Sequence, residues 1–140
     1  MDEVGGITIV DDYAHHPTEV AATLQAATQL GFERVWALFQ PHRYSRTQAF
    51  AREFGVSFEA ADRAVLMDVY TAGEAPIPGV SGKTVLDALL LHRPRASAAY
   101  LPHRADVVPY LAERLAPGDL VMTMGAGDVT TVGPELAAAL

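Results

Sequence analysis

The sequence has no cysteine, no long apolar run and few cationic residues. Without cysteine it can form no disulfide, and it offers no thiolate for metal binding or nucleophilic catalysis. Because no apolar run approaches the roughly 18 residues of a membrane span and no signal peptide is recognisable, we expect a soluble, non-membrane protein. Ten Lys and Arg against 17 Asp and Glu give a net charge of −7, which argues against general binding of nucleic acid.

Short apolar runs alternate with helical patterns along the whole chain. The runs are continuous rather than alternating in polarity, which indicates strands buried on both faces of a parallel sheet. The sequence therefore predicts one α/β domain over residues 1–140, three-layered and doubly wound, with helices on both faces of the sheet. Strands are predicted at 7–10, 35–39, 64–69, 98–101 and 120–124, and helices near 17–30, from 45 onward, and near 81–91, 105–115 and 129–139.

Four polar or glycine-rich stretches follow the predicted strands at their carboxyl ends. In doubly wound folds ligands bind beyond these ends, so the unusual residues gather where the fold places chemistry. The four stretches read "DDYAHHP", "QPHRYSR", "YTAGEAP" and "GAGD".

The second stretch concentrates cations in an acidic chain, with His42, Arg43 and Arg46 close together. Ser45-Arg-Thr-Gln48 matches a capping box, so we expect a helix capped by Ser45 with Arg46 at its first position. A cation at this end of a helix interacts unfavourably with the helix dipole, which costs about 0.3–1 kcal/mol of stability. Either the long side chains extend into water, or the guanidinium and helix N–H groups converge on a carboxylate or phosphate.

The first stretch joins a strand end to a helix start. Asp12 could accept hydrogen bonds from ribose hydroxyls, and Tyr13 could stack on a base or pack against a ligand. His15 could donate to a phosphate or carboxylate, or titrate, whereas His16 reads as a helix cap. Metal binding by His15, His16 and His42 is disfavoured because adjacent histidines point apart.

Two further motifs imitate nucleotide-binding loops. "SGKT" at 81–84 lacks the first glycine of a P-loop, since Ile77 occupies that position, and Ser81 is better explained as a helix cap. "GAGD" at 125–128 lies between a strand and a helix, but Thr130 replaces the third glycine of a dinucleotide fingerprint. It is weak evidence for NAD, and plausible as a tight loop that lets the backbone approach a ligand.

In this order, "DDYAHHPTEV", "LFQPHRYSRT", "DVYTAGEAPIPG" and "GAGD" resemble the C-terminal domain of the Mur ligases over nearly the whole chain. They are most similar to the branch of the family that joins L-alanine to UDP-N-acetylmuramate. The branch that adds a diamino acid carries Asp-Asn-Pro-Arg, which is absent here. Ala14 stands where glycine is also common in the family. Family domains usually begin with an earlier segment that can form an edge strand, and losing it would leave an unpaired sheet edge.

The resemblance implies a Rossmann-like domain of an ATP-dependent ligase in bacterial, cytoplasmic peptidoglycan synthesis. Such ligases have a UDP-sugar-binding domain, a central domain with the P-loop and magnesium ligands, and a third domain, this one, that closes over the site. The acceptor carboxylate is activated as an acyl phosphate and then attacked by the amine of L-alanine. We expect ATP and magnesium in the full-length enzyme but neither bound tightly by these 140 residues, which would be inactive without the two missing domains.

The resemblance also suggests roles for individual residues. Asp12 looks like the residue that contacts the ATP ribose, with Tyr13 and His15 as its neighbours at the nucleotide. No residue takes a catalytic or metal-binding role. The group that holds the amino-acid carboxylate of substrate or product would be His42, Arg43 and Arg46.

Two other classes of function stay open on the sequence. One is a stand-alone nucleotide-binding or regulatory module of α/β fold. The other is an oxidoreductase domain, suggested by the fold and "GAGD" but disfavoured by the missing third glycine. Fold alone does not decide between them.

Overall fold

A computed structural model describes all 140 residues, which form a six-stranded sheet between two layers of helices. The strands are β1 (Asp2–Val4), β2 (Ile7–Asp12), β3 (Arg34–Phe39), β4 (Arg63–Met67), β5 (Ala98–Leu101) and β6 (Asp119–Met124). The helices are α1 (Pro17–Ala27), α2 (Tyr44–Ala49), α3 (Ala51–Ser57), α4 (Gly82–His92), α5 (Arg104–Arg114) and α6 (Val132–Ala139). Short 3₁₀ turns follow α1 at Thr28–Leu30 and precede α6 at Asp128–Thr131.

The sheet has the order β1-β2-β6-β3-β4-β5 and is parallel except for the β1–β2 pair. β3 lies inside it and is apolar on both faces, with Phe39 in one buried cluster and Trp36 in the other. Side chains of α1, α3 and α4 cover the first face, and those of α5 and α6 cover the second. The predicted three-layered α/β fold is therefore confirmed. No helix has the length and apolar character required to cross a lipid bilayer.

Two helix starts follow directly from the sequence. Pro17 occupies the first position of α1, and the side chain of His16 caps this helix by accepting from the Thr18 N–H at 3.3 Å. Ser81 caps α4 in the same way, accepting from the Lys83 N–H at 3.1 Å. The interpretation of "SGKT" as a helix cap rather than a phosphate loop is confirmed.

The structure differs from the sequence prediction at the first strand and in the helix that follows β3, among other places. Asp2–Val4 forms an edge strand that the apolar pattern did not reveal, so the edge beside β2 is paired. Gly5 and Gly6, with φ of 60° and 81°, make the tight turn of this hairpin. The helix expected from residue 45 onward is interrupted at Phe50, which leaves this residue partly buried beside the fully buried Phe54 and Phe58.

Candidate functional site

The carboxyl ends of four parallel strands lie side by side at one edge of the sheet. The register places Asp12 of β2 opposite Met124 of β6, and Met124 opposite Phe39 of β3, which in turn pairs with Leu66 of β4. The loops that follow these strands therefore meet at this edge. The expectation that the four unusual stretches share one edge of the fold is confirmed.

The backbone of the "QPHRYSR" stretch is fixed by the loop after β4. His42 forms an isolated parallel bridge with Tyr70, and the Arg43 N–H donates to the Tyr70 carbonyl at 2.8 Å. Arg43 has φ of 68° and ψ of 141°, a conformation that non-glycine residues rarely adopt. Its carbonyl accepts from both the N–H and the hydroxyl of Thr47, at 3.2 and 2.7 Å. The strained residue is thus held from both sides, a pattern found at functional sites.

The predicted capping box at Ser45 is wrong. Helix α2 begins at Tyr44 after a strained Arg43, which makes no side-chain capping bond, and Arg46 is its third residue rather than its first. The N–H of Ser45 donates to the carboxylate of Glu74 at 2.8 Å, and its hydroxyl donates to the other oxygen of that carboxylate. The negative charge at this helix start is therefore supplied by the chain itself. A ligand anion can meet the cationic side chains here, but not the Ser45 N–H.

Two polar atoms of the cationic stretch are buried and have no hydrogen-bond partner within the chain. They are Nδ1 of His42 and Nη1 of Arg46, while the side chain of Arg43 is exposed. Burial, reinforced by the nearby charges of Arg46, His15 and Arg43, lowers the pKa of His42 below its ordinary value of 6.5. Because buried polar atoms are nearly always satisfied, these two are candidate contacts to a ligand.

The "DDYAHHP" stretch faces this group from across the edge. The rings of His15 and His42 lie 5.9 Å apart, and Tyr13 packs edge-on against His15 with 68% of its own surface exposed. Asp12 is half-buried, and its Oδ1 accepts from the Ala14 N–H at 2.8 Å, leaving Oδ2 with no partner in the chain. One carboxylate oxygen and one open aromatic face are thus available to a ligand.

His15 and His16 point to different neighbours, as expected for adjacent residues. His15 Nδ1 lies 3.0 Å from the Tyr13 carbonyl, whereas the ring of His16 packs against Phe50. Glu19 accepts from the N–H groups of both histidines, and these bonds lower the pKa of its carboxyl. No group of three or more His, Cys, Asp or Glu side chains is arranged to hold a metal ion.

The sequence did not predict the hydrogen bonds that join "QPHRYSR" to "GAGD". The side chain of the buried Gln40 donates to the Asp128 carboxylate and accepts from the Val129 N–H at 3.0 Å. A Cβ on Gly127 would overlap the ring of Tyr70 and the Gln40 amide, so this glycine permits a close approach within the chain itself. The contacts of Gln40 and of Gly127 join residues that are far apart in sequence. The only sequence feature that indicates them is the uncommon "GAG" directly after a strand.

The profile of the family described as "Mur ligase, glutamate ligase domain" matches residues 1–127. The UDP-N-acetylmuramate–L-alanine ligase of Pelotomaculum thermopropionicum is 51% identical over 134 residues, which cover 96% of this chain and 29% of that protein. The ligase of the same name from Desulforamulus reducens is 54% identical over 136 residues, covering 97% of this chain and 29% of the relative.

A solved structure agrees with the sequence matches. The UDP-N-acetylmuramate–alanine ligase MurC of Thermotoga maritima superposes with a TM-score of 0.70 at 25% identity, covering 96% of this chain and 26% of that one. The chain thus spans less than a third of the length of the relatives it matches. Since the family profile covers all of the chain except its last residues, this protein belongs to the Mur ligase family, as its C-terminal, glutamate ligase domain.

Proposed function

We propose that this chain is the C-terminal domain of an ATP-dependent ligase that adds L-alanine to UDP-N-acetylmuramate in bacterial peptidoglycan synthesis. The relatives named for that reaction support the proposal, because they match nearly the whole chain at about half identity. A cytoplasmic location, a UDP-sugar-binding domain and a central ATPase domain belong to the same proposal. The acceptor carboxylate would take the terminal phosphoryl group of ATP, and the amine of L-alanine would then displace phosphate from the acyl phosphate.

The observation that carries the proposal is the pair of buried, unpartnered polar atoms beside the strained Arg43. Nη1 of Arg46 and Nδ1 of His42 are both buried, and neither has a hydrogen-bond partner in the chain. A guanidinium group presents its donors in a fork that matches the two oxygens of a carboxylate. We infer that the carboxylate of L-alanine, or of the product, binds between His42, Arg43 and Arg46.

The nucleotide would lie on the other side of His15. Oδ2 of Asp12 is free to accept from a ribose hydroxyl, and the exposed ring of Tyr13 can pack against the nucleotide. ATP and magnesium supply the phosphoryl group and its charge neutralisation in the full-length enzyme, with magnesium ligands drawn from the central domain. This chain binds and orients the reactants, and the proposal assigns it no catalytic residue.

A domain graft tests the proposal. Residues 1–140 replace the matching segment of the Pelotomaculum thermopropionicum ligase, and release of ADP is measured with UDP-N-acetylmuramate in the presence and absence of L-alanine. We expect the grafted ligase to release ADP only with both substrates, and the 140-residue chain alone to be inactive. A graft that folds, as judged by its thermal transition, but shows no alanine-dependent ADP release would contradict the proposal.

Nucleotide affinity separates this proposal from its alternatives. Because Asp12 would reach ATP only after domain closure, we expect the chain alone to bind ATP with a Kd of about 1 mM or weaker. Micromolar ATP binding would instead favour a stand-alone nucleotide-binding module. Micromolar NAD binding without ATP binding would favour an oxidoreductase domain.

A further inference from the structure

The opposite edge of the sheet, at the amino ends of the strands, carries an unexpected concentration of arginine. Arg34 begins β3, Arg63 begins β4 and Arg114 ends α5. All three line one cavity of about 310 Å³, together with Trp36, Ser97 and Tyr110. No carboxylate lines this cavity, although the chain has 17 acidic residues and a net charge of −7. Its volume lies at the lower end of the roughly 300–1,000 Å³ found for small-molecule sites.

Arg34 is fixed and neutralised beneath the cavity. Its Nε and Nη2 donate to the two carboxylate oxygens of Asp119 at 3.0 and 2.7 Å, and Asp119 also accepts from the Trp36 indole at 3.1 Å. Burial alone would raise the pKa of Asp119, but these donors and the Ala116 N–H lower it. This pair therefore forms a rigid floor and adds no net charge.

Arg63 and Arg114 lack such a counter-ion. Arg63 donates only to the hydroxyl of Ser97, at 2.6 Å, and lies 5.9 Å from the centre of the Trp36 ring. Arg114 lies 3.8 Å from the ring centre of Tyr110 and donates to its carbonyl at 3.1 Å. The only carboxylate near Arg114 is that of Glu113, at 3.5 Å and 79% exposed. Because each guanidinium has five N–H donors, both arginines keep several without a partner in the chain.

We propose that this arginine cavity binds a phosphate or diphosphate group. Above this neutral floor Arg63 has no ion pair and Arg114 has only the exposed Glu113, so the two guanidinium groups suit an anion with two negative charges and several acceptor oxygens. Each guanidinium is held in orientation by an aromatic ring and by one hydrogen bond at Arg63 or two at Arg114, so little conformational freedom is lost on binding. The cavity lies at the edge remote from His42 and Arg46, so this site is independent of the ligase function proposed above.

The single tryptophan of the chain reports directly on this cavity. Trp36 is buried at the cavity floor, and its indole N–H belongs to the Asp119 network. Inorganic pyrophosphate is titrated into the ¹⁵N-labelled chain at constant ionic strength, with sodium chloride as the reference salt. We expect a saturable shift of the indole N–H resonance, with half-saturation at or below about 1 mM.

Two variants locate the site. Arg63→Gln and Arg114→Gln each remove one charge at the cavity, and each should weaken pyrophosphate binding about tenfold or more. Arg52→Gln removes an exposed arginine of α3 outside this cavity and should leave the titration unchanged. An indole resonance that shows no saturable shift would overturn the proposal, and so would equal binding by Arg63→Gln, Arg114→Gln and Arg52→Gln. If either cavity variant fails to fold, the titration of the other variant against Arg52→Gln tests the proposal.

Discussion

Glu74 holds the first turn of α2 by accepting two hydrogen bonds from Ser45, one from its backbone N–H at 2.8 Å and one from its hydroxyl. These bonds, with the positive charge of Arg43 nearby, lower the pKa of the Glu74 carboxyl below its ordinary value of 4.5. The contact ties the loop after β4 to the helix that carries Arg46. Glu74 therefore fixes the position of the cationic group, and it makes no hydrogen bond to the cationic side chains themselves.

Glu74→Gln should reduce stability in a pH-dependent manner. Because the folded-state pKa of Glu74 is lowered, its contribution is present above pH 4.5 and is lost as the pH falls through that folded-state value. The urea midpoint of the variant should lie below that of wild type at about pH 7, and the two should converge toward about pH 3.

Glu3→Gln is the matched control for this measurement, since the carboxylate of Glu3 is exposed on β1. The difference in urea midpoint between Glu3→Gln and wild type should not shrink as the pH is lowered. A constant difference between Glu74→Gln and wild type across the pH range would mean that the charge of Glu74 is not involved.

His42 should make the folded state less stable in mild acid. Its folded-state pKa lies below the ordinary 6.5, so the unfolded chain takes up the proton first. The stability linked to neutral His42 is complete above pH 6.5 and is lost as the pH falls through its folded-state value. His42→Gln should therefore lose less stability than wild type between about pH 7 and about pH 5, as measured by urea unfolding.

The control is His103→Gln, at an exposed histidine that makes no capping bond. It should retain the wild-type dependence on pH over this range. If His42→Gln and His103→Gln behave alike, His42 is not the group responsible.

Substitutions at the strained Arg43 should affect folding stability and ligand binding differently. A non-glycine residue held in such a sparsely populated conformation lowers the stability of the fold by about 1–3 kcal/mol. Glycine avoids this strain, although its greater entropy in the unfolded chain offsets part of the gain. We expect Arg43→Gly to be about 1 kcal/mol more stable than Arg43→Ala by urea unfolding, while both lose the charge and weaken the binding of L-alanine to the grafted ligase. A less stable Arg43→Gly would show that φ of 68° at this residue carries no strain.

The sequence predicted the layers of the fold because their signals are local and periodic. The continuous apolar segments of β3 and β6 can only be buried on both faces, and Ser81 with Thr84 forms the capping box that its spacing indicates. β1 was missed because two of its three residues are exposed and charged, although the Gly5-Gly6 turn after it was a usable signal.

The cationic stretch lies at the edge of the sheet where the sequence placed it, but the start of its helix was predicted wrongly. Ser45 has the same local spacing as Ser81, yet its N–H and hydroxyl bind Glu74, 29 residues further along the chain. Pairing between Arg43 and Tyr70 fixes the backbone so that α2 begins one residue after Arg43. These competing contacts are tertiary, and a single stretch of sequence carries no sign of them.

Binding of L-alanine by Arg46 is the claim on which the proposed site depends. Arg46→Met keeps the apolar stem and removes a buried donor that has no partner in the chain, so the 140-residue chain should be unchanged or slightly more stable. In the grafted ligase, loss of a charge-assisted hydrogen bond should raise the KM for L-alanine about ten- to a hundredfold.

The most direct measurement is therefore the KM for L-alanine and the KM for ATP in the grafted ligase with Arg46→Met, with Arg52→Met as the control. We predict that Arg46→Met raises the KM for L-alanine about tenfold or more, changes the KM for ATP by less than about threefold, and leaves the chain folded, while Arg52→Met changes neither constant. An equal rise in both constants, or unfolding of the Arg46→Met chain, would show that Arg46 does not hold the amino-acid carboxylate.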